Sequence, residues 1–425
     1  MSPRLALAAL VWLGAAAAHA ETLAITHAKA FTGDQVVEDA TVVVRDGRVV
    51  SVADGAAAPG GARVIEAKGR WVTPGLMSGG AQIGLIEVDS LPETSDAAVN
   101  AGPLGPAFDV QYAINANSTL LPQARADGLT RAGDVPTGAA TTPFLGQGAA
   151  LRLSEGPDLL DRAHAMMFAR IDGFAAAKAG GSRAAAWGLL RNALEEATAF
   201  RDRKPVQNGP RDQLLDRPDI EALQPVIAGG MPLGIFAARE SDIREAVRLA
   251  DDFHLKVVVF GGAEAWRAAD LLAAHKIPVV INPFEDLPAS YDQLGARRDN
   301  AARLRRAGVE IAFSVTGVPF SYNAGEALRE AAGIAVSCGL PWIEAMRAIT
   351  VEPAEIWGVQ DHYGRLAPGQ DADLVIWDGD PLEPSSAPLT VLVQGREVSL
   401  QTRQTDLRDR YSPLRNRHGW PAAYP

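Results

Sequence analysis

Apolar and polar positions alternate with a period of two at both ends of the chain, and the periods mix in between. Thr22-Leu-Ala-Ile-Thr reads as a strand. The run from Ala40 to Val52 reads as two more, parted by Asp46-Gly47, a hairpin signal between β-branched stretches. A third run, Ala62 to Val72, completes a predicted small antiparallel sheet. From about Val72 short apolar runs follow at Leu129–Val135, Ala149–Leu153, Ala165–Phe168, Leu233–Ala237, Lys256–Phe260, Pro278–Ile281 and Ile311–Val315. Between them, Ser182–Arg203, Ser241–Phe253, Glu264–His275, Arg297–Ala307 and Ala324–Cys338 carry apolar residues at i, i+3 and i+4. Such alternation predicts an α/β fold with a parallel sheet covered by helices, and eight short strands predict a (β/α)8 TIM-like barrel. Ser90–Gln123 reads as a long loop over one mouth, Arg201–Pro225 as a polar connection, and Pro341–Thr350 and Glu352–Trp357 as closing helices. Period two returns at Asp373–Asp378, Leu389–Val393 and Glu397–Leu400, so the two ends together predict one small composite β-sandwich. The polar tail after Asp406 is expected on the surface.

Composition adds bounds to this picture. The chain has 425 residues, 47% of them hydrophobic and 21% charged, which provides ample core and excludes a disordered or collagen-like chain. A net charge of −11 excludes a surface built to neutralise nucleic-acid phosphates. Cys338 is the one cysteine, so there is neither an intramolecular disulfide nor a cysteine-based metal site, and its apolar helical setting predicts a buried structural thiol. Residues 1–20 read as a secretory signal: Arg4, an apolar stretch from Leu5, then Ala18-His19-Ala20 as a small-x-small cleavage site. After cleavage no run is long enough to span a membrane. The expected organisation is therefore a signal peptide at 1–20, a composite β-sandwich from 21–71 plus 363–410, a barrel at 72–362 and a C-terminal tail at 411–425, in a protein exported to a bacterial periplasm.

Several motifs carry a family likeness. Asp46-Gly-Arg-Val-Val-Ser-Val, then Trp71-Val-Thr-Pro-Gly-Leu-Met, then Ala348-Ile-Thr-Val-Glu-Pro-Ala-Glu-Ile-Trp-Gly-Val and Gly364-Arg-Leu-Ala-Pro-Gly-Gln-Asp-Ala-Asp-Leu-Val-Ile-Trp-Asp-Gly-Asp-Pro stand in the order that the amidohydrolase superfamily shows. The chain resembles its imidazolonepropionase-like and prolidase-like members. That resemblance implies hydrolysis of a non-peptide C–N bond or of an Xaa-Pro dipeptide by one or two divalent metals. In the family they are held by His-x-His at the first barrel strand, further His at the fifth and sixth, and an Asp at the eighth.

This chain departs from the pattern at each place. After Met77 it reads Ser78-Gly79-Gly80-Ala81-Gln82. Phe236 and Ala238 stand near the fifth-strand position, Gly261 or Gly262 at the sixth and Thr316 at the eighth. Gly, Ala and Phe side chains offer no donor atom. Of the seven histidines, His19 leaves with the signal, and His27, His362 and His418 map outside the barrel strands. His164 lies just ahead of the fourth strand, and His254 and His275 fall at helix ends. No metal and no other cofactor is expected.

Active groups in such barrels follow strand C-termini. The candidates are Gln82 and Glu87 after strand one, Arg239 and Glu240 after strand five, Glu264 after strand six, Asn282 after strand seven and Thr316 after strand eight. Asp109, Gln111, Asn115 and Asn117 add to them from the long loop. Glu87 and Glu264 could form a metal-free acid/base pair; the plainer alternative is a solvated loop charge and an acid at a helix's first turn. Asp371/Asp373 and Asp378/Asp380 read as turn chemistry. There is no Gly-x-Ser-x-Gly elbow and no Walker loop, and Gly146-Gln-Gly148 lacks the third glycine of a dinucleotide loop. The functional expectation is a metal-free relative that binds a small polar molecule or a protein partner. The alternative is an active hydrolase with a rebuilt carboxylate/Asn site. No nucleic-acid partner is expected, and homo- and hetero-oligomers both stay open.

Overall fold

A computed structural model of the chain describes residues 22–88, 91–99, 101–102, 104–138, 143–202, 214–285, 287–315 and 323–415. The expected signal segment and Thr316 lie outside these residues. The N-terminal strands are β1 (Thr22–Phe31), β2 (Val36–Arg45), β3 (Arg48–Asp54), β4 (Arg63–Glu66) and β5 (Trp71–Pro74). Asp46 and Gly47 form the hairpin between β2 and β3 at φ 54° and 74°, the left-handed pair that a tight two-residue turn needs. The barrel follows as β6 (Leu76–Ala81), β7 (Leu129–Asp134), β8 (Phe144–Arg152), β9 (Leu160–Arg170), β10 (Leu233–Ala237), β11 (Val257–Gly261), β12 (Val279–Ile281) and β13 (Ile311–Phe313). The chain then returns to the first sheet as β14 (Leu374–Trp377), β15 (Pro388–Val393) and β16 (Arg396–Glu397).

Both chain ends build one sheet in the order β16-β15-β14-β5-β1-β2-β3, with β4 also paired to β1. The expected sandwich is thus a single hydrogen-bonded sheet. It curls over its own core of Leu23, Ile25, Val42, Val44, Leu374, Ile376 and Leu392. It is mixed rather than antiparallel, because β4 and β5 run parallel to β1. The ten-residue β1 serves both, β4 along its first half and β5 along its second.

The second sheet runs β13-β12-β11-β10-β9-β8-β7-β6 and nearly closes on itself, with Val315 N–H donating to Gly80 C=O at 3.2 Å. Lower down the seam, Phe313 N–H donates to Ala348 C=O and Met77 N–H to Ile349 C=O, so that segment wedges between the first and last strands. One expectation is corrected. β8 is antiparallel to both β7 and β9. The connections at 135–143 and 153–159 are shorter than the dozen or more residues that a parallel crossover needs, so the chain turns straight back.

The helices that cover the barrel and its ends are α1 (Leu120–Ala126), α2 (Gly173–Lys178), α3 (Arg183–Arg201), α4 (Arg217–Ile227), α5 (Glu240–Phe253), α6 (Ala269–Ala274), α7 (Asn300–Arg306), α8 (Ala324–Ser337), α9 (Trp342–Arg347), α10 (Val351–Trp357) and α11 (Arg403–Arg415). Four of them were not expected: α1, which begins inside the supposed long loop Ser90–Gln123, α2, α4 and α11. α4 occupies the end of the supposed polar connection, burying Ile220, Leu223, Val226 and Ile227, and α11 forms in the polar tail. Cys338 caps α8 half-buried.

Inside the barrel, Met77, Met166, Phe168, Val258, Phe260, Val280 and Ala312 pack around Trp357, which enters from the end of α10. Its indole N–H donates to Gly79 C=O at 2.9 Å. Where β7 approaches the β-sheet domain, Arg131 is fully buried and meets Asp161 (2.8 Å), Asp371 (2.7 Å) and Asp373 (2.9 Å). Asp371 and Asp373 are therefore counter-ions for a barrel cation as well as turn residues. Asp378 and Asp380 do act in the turn, accepting from Ala387 N–H and Leu382 N–H.

At the barrel's lower end lies a concavity of about 820 Å³ lined by His254, His275, Glu310 and Trp357 among others. Burial, then the charges of Glu352 and Glu355, push the Glu310 carboxyl up to about 7. The folded state therefore holds this proton while the unfolded chain has lost it, and stability falls as pH rises from about 4.5 to about 7. Glu310→Gln should leave stability unchanged near pH 4 and raise it by about 1 kcal/mol at pH 8, a figure discounted for partial exposure. Urea unfolding at both pH values tests this; an equal effect at the two would exclude the titration as its cause.

Candidate functional site

At the C-terminal ends of the barrel strands a cavity of about 330 Å³ opens. Its floor is aromatic: Phe236 and Phe260 stand 5.3 Å apart, and both rest on Phe168. Its walls are polar. Gln82 follows β6, Thr137 follows β7, Arg170 and Asp172 close β9, Asn282 and Glu285 follow β12, Gln293 comes from the same loop, and Ser314 follows β13. This is the end at which strand tips in such barrels present reactive and binding groups.

Among the candidates read from sequence, Gln82 and Asn282 line this cavity, and the other described ones do not. Glu87 accepts from Asn115 Nδ2 at 2.9 Å and Thr119 N–H at 3.1 Å, and so organises the long loop. Glu264 accepts from Glu240 N–H at 3.0 Å and Gly295 N–H at 2.9 Å, capping the start of α5 and pinning a neighbouring loop. That is close to its plainer alternative, and the Glu87/Glu264 acid/base pair does not form around this cavity. Arg239 pairs with Asp292 at 2.9 Å; Asp292 also takes Gly173 N–H and Arg183.

Asp109 is a clear correction. It lies beside β8, 3.2 Å from His164 Nδ1, while His164 Nδ1 also meets Gln147 Oε1 at 2.7 Å. A Cβ on Gly148 would sit 2.7 Å from Phe168, inside the barrel. Its neighbour Gln147 therefore faces outward, and the Asp109 loop covers the outer wall rather than the mouth. His164 itself falls within β9, not ahead of it. His254 and His275 cap α5 and α6 at their C-termini, as expected. His362 meets Asp161 at 3.0 Å beside the buried Arg131.

Sequence reasoning missed Thr137, Arg170, Asp172, Glu285, Gln293 and Ser314. Two signals were available: Arg170 and Asp172 directly follow the apolar run Ala165–Phe168, and Glu285 lies three residues after Asn282. Burial raises the Glu285 carboxyl above its usual range, against a hydrogen bond from Gln293 Nε2 at 3.1 Å. Arg170 lies over the Phe236 ring at 5.0 Å and the Phe174 ring at 5.8 Å. Asp172 Oδ1 caps α2 by accepting from Ala175 N–H at 2.9 Å, while Oδ2 stands 3.5 Å from Arg170 Nε.

No histidine among the described residues lines the cavity. Among the described residues, no three His, Cys, Asp or Glu side chains converge as a metal ion would require. Residues 316–322, Thr-Gly-Val-Pro-Phe-Ser-Tyr, contain none of these four types.

Comparison with known proteins places this geometry. Residues 249–400 match the model of the amidohydrolase family. A 57-residue stretch is 40% identical to an amidohydrolase, tasK, of Hapsidospora irregularis; it covers 13% of this chain and 6% of that protein. An amidohydrolase structure from Thermotoga maritima MSB8 superposes with a TM-score of 0.80 at 24% identity, over 89% of this chain and 99% of that one. A prolidase solved with N-methylphosphonate-L-proline superposes with a TM-score of 0.55 at 18% identity, over 89% of this chain and all of that one (100%).

Proposed function

We propose that the chain, whose residues 249–400 match the amidohydrolase family model, is an exported, metal-free relative of that family that binds a small polar molecule in the barrel mouth. One observation carries the reading: Phe236, Ala238 and Gly261 or Gly262 stand where the resemblance places histidines, while the strand tips surround a cavity of amides, hydroxyls, one arginine and two carboxylates. The residues present do not fit the family's metals. A side chain at Gly79 is also opposed sterically, since its Cβ would lie 3.0 Å from Phe313 C=O and 3.1 Å from Ala312 Cβ. Asp172 and Glu285, the cavity's described carboxylates, follow different strands, and among the described residues they have no third acidic or imidazole partner there.

What these residues do chemically is hold and orient. The phenyl floor excludes water beneath a ligand, and the planar amides of Gln82, Asn282 and Gln293 offer both donors and acceptors. A second reading, a hydrolase with a rebuilt carboxylate site, is favoured by Glu285, whose carboxyl burial raises above its ordinary range, the direction that a general acid needs.

The deciding measurement is metal content of the purified protein, before and after dialysis against zinc, manganese or nickel. Less than about 0.1 metal per chain, with no rise in Tm on adding metal, is expected; a site filled at 100 times its Kd would add about 2.7 kcal/mol of stability. Near-stoichiometric metal removable by chelator would overturn the reading. Metal-free turnover of a C–N substrate that Glu285→Gln abolishes would establish the second.

A further inference from the structure

Resting on the mouth as a ligand site, we infer that its ligand carries a single carboxylate engaged by Arg170, with an apolar body lying toward Phe236 and Phe260. The guanidinium is held between the Phe236 and Phe174 rings, and 23% of the side chain is exposed, toward the cavity it lines. A guanidinium offers five N–H donors in a fixed fork. Among the described residues it donates no hydrogen bond, and Nε is buried without an acceptor. Its 3.5 Å pairing with Asp172 balances charge but does not use the fork, because Asp172 is turned to cap α2. Donors desolvated and left unspent beside a cavity are costly unless a ligand takes them up, and two carboxylate oxygens match the fork.

The surroundings narrow the class further. Asp172 and Glu285 both line the cavity, so a second negative charge on the ligand would meet like charges at close range. A monoanion is favoured over a phosphate-like dianion. A volume of about 330 Å³ stands at the small end of ligand cavities, which suits a body of about one ring against the phenyl floor.

Three probes of one shape separate the possibilities: benzoate, benzamide and phenyl phosphate, titrated into the full chain by calorimetry and ligand-observed NMR. Benzoate should bind at least about tenfold more tightly than either of the others. Arg170→Met should abolish that preference while leaving benzamide unchanged. Arg170→Lys should restore it only in part, because an ammonium lacks the fork. Ala238→Trp, which fills the mouth, should remove binding of every probe. If benzoate and benzamide bind equally, Arg170→Met changes neither and Ala238→Trp blocks both, the mouth remains a ligand site and the carboxylate inference falls. Benzoate binding that survives Ala238→Trp would overturn both, as would the failure of all three probes to bind. Unchanged far-UV circular dichroism shows that each variant is folded.

Discussion

Arg131→Met is expected to destabilise the protein by about 3–5 kcal/mol, the loss that follows when one partner of a buried charge cluster is removed. The guanidinium is 1% exposed, and Asp161, Asp371 and Asp373 around it are 6%, 4% and 0% exposed. Arg48 and Arg152 approach the same carboxylates at 3.6 and 3.9 Å, too far to replace it. Burial already raises the Asp373 carboxyl, with Arg131 as the largest opposing influence. Without that cation the Asp373 carboxyl would hold its proton to still higher pH than in the unfolded chain. A raised folded value gives stability that is present in acid and lost as pH rises, so the deficit of Arg131→Met should shrink toward pH 4 and widen toward pH 8. Urea unfolding across that range measures it. Adding Asp373→Asn to the variant should recover part of the loss. A deficit independent of pH, with no recovery, would mean that lost packing and not charge is responsible.

Gly133→Ala is expected to cost about 3 kcal/mol or more, at the upper end for overpacking a filled core. A Cβ at that position would lie 2.0 Å from Cε2 of Trp357 and 2.3 Å from Cζ2. The indole has no easy retreat: its N–H is bonded to Gly79 C=O, and Phe168 packs 5.9 Å from its centre. Trp357→Leu introduced beside Gly133→Ala should recover stability relative to Gly133→Ala alone, because the smaller side chain leaves room for the methyl group. Thermal unfolding of the two single variants and the double closes the cycle; strictly additive losses would show that the two positions do not clash.

Most elements were legible in local pattern. β10 spans Leu233–Ala237, as its apolar run predicts, and α5 at Glu240–Phe253 differs by one residue from the stretch read at i, i+3, i+4. Helix and strand periods are written in neighbouring residues, and burying one face is enough to select them. β8 was misjudged in direction because an apolar run has no arrow; the short connections at 135–143 and 153–159 carried the missing information. Of the mouth, Gln82 and Asn282 were legible since each directly follows a barrel strand. Asp109 was not, because its place depends on the path of a long loop, which no period encodes.

The sequence by itself therefore determined most strands and helices, their pairing of chain ends, and the Gly, Ala and Phe at tips where the family resemblance leads one to expect metal donors, since these are properties of residue type and near-neighbour spacing. Only the tertiary structure decided which polar groups meet. Arg131 finds Asp371 and Asp373 some 240 residues further along the chain. Arg170 comes to lie over Phe236 in the mouth while Asp109 is turned to the outer wall. Partners so distant are selected by the closing of the whole barrel, when burial makes every unpaired charge expensive, and not by anything that two adjacent residues can express.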